Sequence, residues 1–257
     1  MPPDLVLAPA LVLAGATSLL WVVSVWMRDA SIVDIWWGPG FAVIAWVVVG
    51  TVPEPPPRLL LVAGLLTLWA LRLSIYLAAR NLGHAEDRRY QALRGNRAGI
   101  WWSSLVTVFF LQGGLQVLIA TPLFAVAGTP GPLAWSDLLF ALVVLAGIGM
   151  EAVADQQLAA FKKKSRGEAT VLRTGVWGWC RHPNYFGNAL MWLGLGALAL
   201  SGGGPLWASL GPAVMWFLLL KVSGVSLLES TITERRPAYR EYIQQVPAFF
   251  PNPFRGR

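Results

Sequence analysis

Seven apolar runs, at roughly residues 5–27, 32–50, 59–79, 101–126, 134–158, 185–201 and 205–228, are separated by short segments rich in breakers or basic residues. A helix needs about 20 residues to cross the hydrocarbon of a bilayer. Lipid offers backbone groups no hydrogen bonds, so runs of this kind must be helical when they span it. The second and sixth runs are short or interrupted, which leaves their ends soft. The expected fold is all-α and polytopic: a single bundle of seven transmembrane helices, one domain over 1–257. The cytoplasmic loops fall at about 80–100 and 162–184 and the cytoplasmic tail at about 229–257.

Composition supports lipid as the solvent. Apolar residues make up 56 % of the chain and charged residues 13 %, too few charges to dress a water-facing surface. The net charge of +7 sits in the connections between runs, which points to a basic inner membrane face and not to nucleic acid. Arg80, Arg88, Arg89, Arg94 and Arg97 follow the third run. Lys162, Lys163, Lys164, Arg166, Arg173 and Arg181 follow the fifth, and Arg235, Arg236, Arg240, Arg255 and Arg257 follow the seventh. The alternate connections, "TVPEPPPR", "AGTPGPLAW" and "SGGGP", hold a single arginine. The positive-inside rule then sets the C-terminus in the cytoplasm and the N-terminus outside.

Several chemistries are excluded at this stage. The opening "MPPDLVLAP" lacks a basic n-region, so the first run reads as a retained span and not a cleaved signal. Cys180 has no cysteine to pair with, and His84 and His182 lack HExxH spacing, so no metal site is expected. There is no Walker loop and no GxGxxG between a strand and a helix, so a bound nucleotide would not sit on a Rossmann fold. Nothing in the chain requires a protein partner.

Polar residues inside grease carry the functional signal, because burying them is costly. Asp34 in "SIVDIWWGPGF" is either an interfacial helix cap or a catalytic carboxyl, and Trp36 follows it. Arg72 and Tyr76 are four apart and share a helix face, with Asp34 as the expected partner of Arg72. Gln112 and Gln116 repeat that spacing on the fourth run, and Glu151 and Asp155 repeat it on the fifth. The two acids can accept from ribose hydroxyls or a carboxamide, or pair with Lys162 or Arg166. The densest cluster is "RHPNYFGN": Arg181, His182, Asn184, Tyr185 and Asn188 around Pro183, a residue suited to a first helical turn. Free N–H groups at such a helix start favour an anion. In the tail, Arg235, Arg236 and Arg240 can grip phosphate or meet anionic lipid, beside Tyr239 and Tyr242.

"RHPNYFGNALMWLG", "ERRPAYREYI" and "SIVDIWWGPGF" resemble bacterial members of the steroid 5-alpha-reductase-like membrane family. The resemblance implies a seven-helix reductase of the bacterial cell membrane that uses NADPH. Such enzymes reduce the carbon–carbon double bond of an α,β-unsaturated ketone, typically a 3-oxo-4-ene steroid or a similar apolar enone. The family's cofactor-contacting asparagine falls on Asn184, and its aspartate on Asp155. The family glutamate four residues after the asparagine falls on Asn188, and a family asparagine one turn before the aspartate falls on Glu151. Its basic residue falls near Lys162, and its catalytic glutamate corresponds to Asp34. Tyr76 is the tyrosine of the third run, though strict spacing puts Trp69 at the family position.

The resulting expectation assigns catalysis to Asp34 and Tyr76 and substrate orientation to Arg72, Gln112 and Trp36. The cofactor set is Glu151, Asp155, Lys162, Arg173, Arg181, His182, Asn184, Tyr185, Asn188, Arg235, Arg236, Tyr239, Arg240 and Tyr242. "EDRRYQALRGN" is a candidate cytoplasmic lid. Isoprenylcysteine-type and phospholipid-type methyltransferases share an "RHPxY" stretch but use S-adenosylmethionine. That cofactor has no phosphate for the basic segment 162–181 to bind. A helix bundle that only carries lipid is the non-enzymatic alternative.

Overall fold

The computed structural model describes residues 2–87, 89–91, 100–165, 170–222, 225, 229, 232 and 237–254. Among the described residues every regular element is helical. They are α1 (Asp4–Met27), α2 (Ile32–Thr51), α3 (Pro57–Asn81), α4 (Trp101–Ile119), α5 (Thr121–Ala127), α6 (Trp135–Ser165), α7 (Pro183–Ser201), α8 (Leu206–Val222) and α9 (Tyr239–Gln245). α1, α2, α3, α4 and α6 are long and apolar enough to cross a membrane, and α8 is a shorter apolar helix. Leu19, Leu71, Ile75 and Leu138 are exposed on these helices, a surface that suits lipid and not water.

Two boundaries differ from the sequence expectation. The fourth run is not one helix to residue 126: Ala120 interrupts it and Pro122 opens α5, because proline lacks the N–H that a continuing helix would use. The fifth run extends to Ser165, with Lys162, Lys163 and Lys164 in the last turn, where cations suit the helix dipole. The contacts group into two compact units, residues 1–137 with 199–210, and residues 138–198 with 211–257.

In the first unit, α2 and α3 form the main pairing. Pro39 deprives the Ile35 carbonyl of its helical donor, and the Ser74 hydroxyl supplies one at 2.7 Å. Gln116 Nε2 donates to the Trp37 carbonyl at 2.7 Å, so the proline-distorted turn is held from α3 and α4. A side chain at Gly38 would come within 2.8 Å of the Ala70 carbonyl, which is why glycine stands there. The stripe of α3 that meets α2 is therefore Thr67, Ala70 and Ser74. At the far end of α3, Arg58 grips Asp137 with two bonds of 2.7 and 2.8 Å, and Asp137 is 0 % exposed.

In the second unit, α6 and α7 cross in close antiparallel contact. A side chain at Gly147 would lie 2.5 Å from Met191 N, and one at Gly187 would lie 2.5 Å from Glu151 N. The register Gly147–Met191 and Glu151–Gly187 then carries on to Asp155 and Asn184. The small residues bring two backbones together just where the polar side chains sit.

Candidate functional site

In the first unit the polar centre is built on Asp34, in the first turn of α2. The Tyr90 hydroxyl donates to Asp34 Oδ1 at 2.6 Å, and Arg89 Nη2 donates to Oδ2 at 2.7 Å. Gln112 Nε2 donates to the Tyr90 oxygen at 3.2 Å. A π-helical turn, Leu105–Phe110, precedes Gln112 and shifts its phase relative to the start of α4. The Tyr90 ring packs among Ala30, Val33, Val108 and Phe109. Burial and the neighbouring Asp34 carboxylate push its hydroxyl well above the usual phenol range. Burial opposes charge on Arg89, but Asp87 and Asp34 outweigh it and hold the guanidinium protonated.

The expected Asp34–Arg72 pairing is therefore corrected. Arg72 and Tyr76 lie two residues before and after Ser74, about 200° around a helix of 3.6 residues per turn. They project away from the stripe that meets α2, whereas the segment after α3 brings Arg89 and Tyr90 to Asp34. The Arg72 guanidinium lies 5.8 Å from the Tyr76 ring centre, and Arg80 lies at the same distance. Tyr90 is the phenol that the sequence reading missed. It sits in the segment read as a lid, on no apolar periodicity, so spacing alone could not place it beside Asp34. Among the described residues, the buried Trp36 indole N–H has no acceptor and the buried Gln116 Oε1 has no donor.

In the second unit, α6 and α7 present paired polar residues. Asn184 Nδ2 donates to Asp155 Oδ1 at 3.3 Å, and Asn188 Nδ2 donates to Glu151 Oε2 at 3.5 Å. Asn188 Oδ1 is buried and has no donor among the described residues. Glu151 and Asn188 thus face each other, a carboxylate against an amide across the crossing.

At the start of α7, His182 accepts the first helical bond, from Phe186 N at 3.0 Å. Its ring stacks on Tyr185 at 5.6 Å and 5°. His182 Nε2 and Arg181 Nε both bond Glu229 Oε1, at 2.9 and 2.7 Å, and Arg181 Nη2 reaches Oε2 at 2.9 Å. Burial would raise the Glu229 pKa, but bonds from His182 and Arg181 outweigh it and hold it at about 2.

Three residues expected at a cofactor are engaged within the protein. Arg181 Nη1 donates to the Ile243 and Val246 carbonyls at 3.1 and 2.6 Å, so its fork holds the end of α9 together with Glu229. Arg173 Nη2 donates to the Ala238 carbonyl and to Glu241, each at 2.9 Å. The Tyr242 hydroxyl donates to the Trp177 carbonyl at 2.5 Å, and the residue is 1 % exposed. Arg173 was read from charge, and Arg181 from its place in the cluster at the start of α7; neither signal tells a phosphate from a helix C-terminus. Tyr239 is also buried, which lifts its phenol to about 12, and packs edge-on against Tyr242. Lys162 and Arg240 are exposed. Arg235 and Arg236 lie outside the described residues.

No solved structure matches this chain. "Uncharacterized protein C594.04c" of Schizosaccharomyces pombe (strain 972 / ATCC 24843) is 29 % identical over 283 residues, covering 91 % of this chain and 76 % of the relative. A family profile described as "Protein of unknown function (DUF1295)" matches residues 20–246. With that match running from within α1 to the end of α9, the chain belongs to the DUF1295 family.

Proposed function

We propose that this protein is an NADPH-dependent membrane reductase of the steroid 5-alpha-reductase-like kind. Its substrate is an α,β-unsaturated ketone, a 3-oxo-4-ene steroid or a similar isoprenoid lipid, whose carbon–carbon double bond it reduces. In this reading α7 and α8 join the five long apolar helices to make seven crossings of a bacterial cell membrane. The N-terminus lies outside, and the basic connections and C-terminus lie in the cytoplasm.

The observation that carries the reading is the buried, undonated Asn188 Oδ1. An amide oxygen left without a donor in a dry site is costly, and a ligand N–H such as a carboxamide would satisfy it. Glu151, Asp155 and Asn188 offer acceptors to a carboxamide and to ribose hydroxyls, so the residues present fit the polar inner half of a dinucleotide. This reading assigns its phosphates to the basic residues Lys162, Arg235, Arg236 and Arg240, of which Lys162 and Arg240 are exposed.

When bound, NADPH supplies the hydride that adds to the β carbon of the enone. Negative charge then gathers on the ketone oxygen. In this reading the Tyr90 hydroxyl, in place of Tyr76, turns its one proton from Asp34 to that oxygen. Arg89 keeps its own bond to Asp34 when the phenol turns away, so Asp34 is not left without a donor. Water or the phenol provides the proton to the α carbon.

Incubating the purified protein in detergent with nicotinamide-deuterated NADPH and a panel of 3-oxo-4-ene steroids and simpler enones tests the reading. Products heavier by one deuterium at the β carbon are expected; intact substrates and unconsumed NADPH would refute it. A second reading, an S-adenosylmethionine-dependent methyltransferase, is favoured by one observation: Arg173 and Arg181, counted toward phosphate, are engaged by the tail. Binding of the two cofactors to the same preparation separates the readings.

A further inference from the structure

The C-terminal segment is tied to the loop before α7 at many points. Arg181 N donates to the Pro247 carbonyl and Asn252 N to the Trp179 carbonyl, both at 2.9 Å. The Tyr242 hydroxyl bonds the Trp177 carbonyl, and Trp177 Nε1 in turn donates to the Ala154 carbonyl on α6 at 3.0 Å. Phe249 and Phe250 pack edge-on against Phe186 of α7. At the centre, one carboxylate, Glu229, holds the two residues that immediately precede Pro183.

We infer that Glu229 is a positioning residue: through Arg181 and His182 it couples the closure of the C-terminal segment to the aim of Asn184 and Asn188, and hence to cofactor affinity. The His182 carbonyl accepts the first bond of α7, while its ring and the preceding Arg181 are both held by Glu229, so this carboxylate fixes the residues from which the first helical turn starts. Asn184 lies in that turn and Asn188 one turn further. Arg181 is the shared part. The same guanidinium that Glu229 orients caps the carbonyls of Ile243 and Val246 at the end of α9, where a cation is favourable. Coupling between two such events is reciprocal. A ligand that bonds Asn184 and Asn188 therefore tightens the tail, and a tightened tail raises affinity for that ligand. The inference rests on the NADPH reading for the identity of the ligand.

The test uses full-length protein in detergent. Trypsin cuts after the exposed Arg240 only when α9 is released, and the fragment beginning at Glu241 is followed by mass. Saturating NADPH should slow this cut in the wild type. Glu229→Gln keeps the volume but sets an amide N–H against Arg181. It should weaken NADPH binding about tenfold, within the usual range of such couplings, and abolish the protection by NADPH. Glu229→Asp should recover part of both effects, and Arg181→Lys should recover neither, since one ammonium cannot reproduce the fork. All variants are compared as monodisperse fractions, so misfolding is not scored as uncoupling. If E229Q frees the tail but binds NADPH as the wild type does, the coupling is overturned while the reductase reading stands. If the wild type binds no NADPH, the reductase reading falls and the coupling falls with it.

Discussion

Replacing Gly187 with alanine puts one methyl group at the tightest point of the α6–α7 crossing. That methyl would sit 2.5 Å from Glu151 N, 2.7 Å from the Gly147 carbonyl and 3.0 Å from Glu151 Cα, all backbone atoms. No side chain can swing aside, so the helices must part by about 0.9 Å to restore ordinary contact near 3.4 Å. Overpacking of this kind costs about 1–3 kcal/mol, and the Asn188–Glu151 bond, already 3.5 Å long, is lost with it. For a chain of this size, at about 2–4 °C per kcal/mol, the melting midpoint should fall by roughly 2–12 °C. Thermal unfolding in detergent, followed by helical circular dichroism, reads the shift. Gly149 is the internal control: it lies on α6, the other helix of the crossing, with nothing within 4 Å, so alanine there should leave the midpoint unchanged or raise it slightly. If G187A and G149A melt alike, the close crossing is not what holds these helices, and the placement of Asn188 against Glu151 loses its support. G187A should also weaken NADPH binding more than G149A does.

Three further outcomes follow from individual contacts. Arg58→Ala strands the buried Asp137 carboxylate and should cost about 3–5 kcal/mol, whereas Arg58→Met with Asp137→Leu should be close to neutral; unfolding of the two variants in denaturant compares them. Tyr90→Phe and Asp34→Asn should each lower turnover more than NADPH affinity, with effects that do not add, while Tyr76→Phe is mild; equal losses for Tyr90→Phe and Tyr76→Phe would restore Tyr76 to the chemistry. Glu229 is held at about 2 against an ordinary 4.5. Its contribution is therefore complete above pH 4.5 and is lost as pH falls toward 2, and hydrogen exchange across Tyr239–Gln245 should accelerate in that window but not in E229Q.

The long apolar helices were legible because their signal is local: length and hydropathy, with lipid supplying the reason. The break at Ala120 was marked by Pro122, but an apolar run on both sides concealed it. The α6–α7 polar pairs were legible because Glu151, Asp155, Asn184 and Asn188 repeat at helical spacing. Tyr90 and Glu229 were not legible in the same way. Each reaches its partners, Asp34 and Arg181, across 56 and 48 residues through connections without periodicity. Arg58 and Asp137, 79 residues apart, looked like ordinary loop charges flanking apolar runs. The partners that Arg173 and Arg181 take within the protein were not legible for a simpler reason. A guanidinium suits a phosphate, a carboxylate and a row of helix-end carbonyls equally well, and only coordinates show which one it has.

The resemblance sets an asparagine where Glu151 stands and a glutamate where Asn188 stands, and this exchange bears on why it survives two departures. A site that needs one carboxylate and one amide at an antiparallel crossing does not specify which helix supplies each. Gly147 and Gly187 hold the two backbones close enough for either arrangement to reach across. What the exchange does alter is the company of the carboxylate, which now stands one turn from Asp155 on a single face of α6. Restoring the family arrangement with Glu151→Asn and Asn188→Glu together should therefore preserve the crossing and most ligand affinity. Either change alone leaves two amides or two carboxylates face to face. Fluorescence titration of NADPH against the four variants reads the cycle. Two single losses that are recovered in the double variant make the pair a unit, and additive losses would mean that each residue acts through other partners.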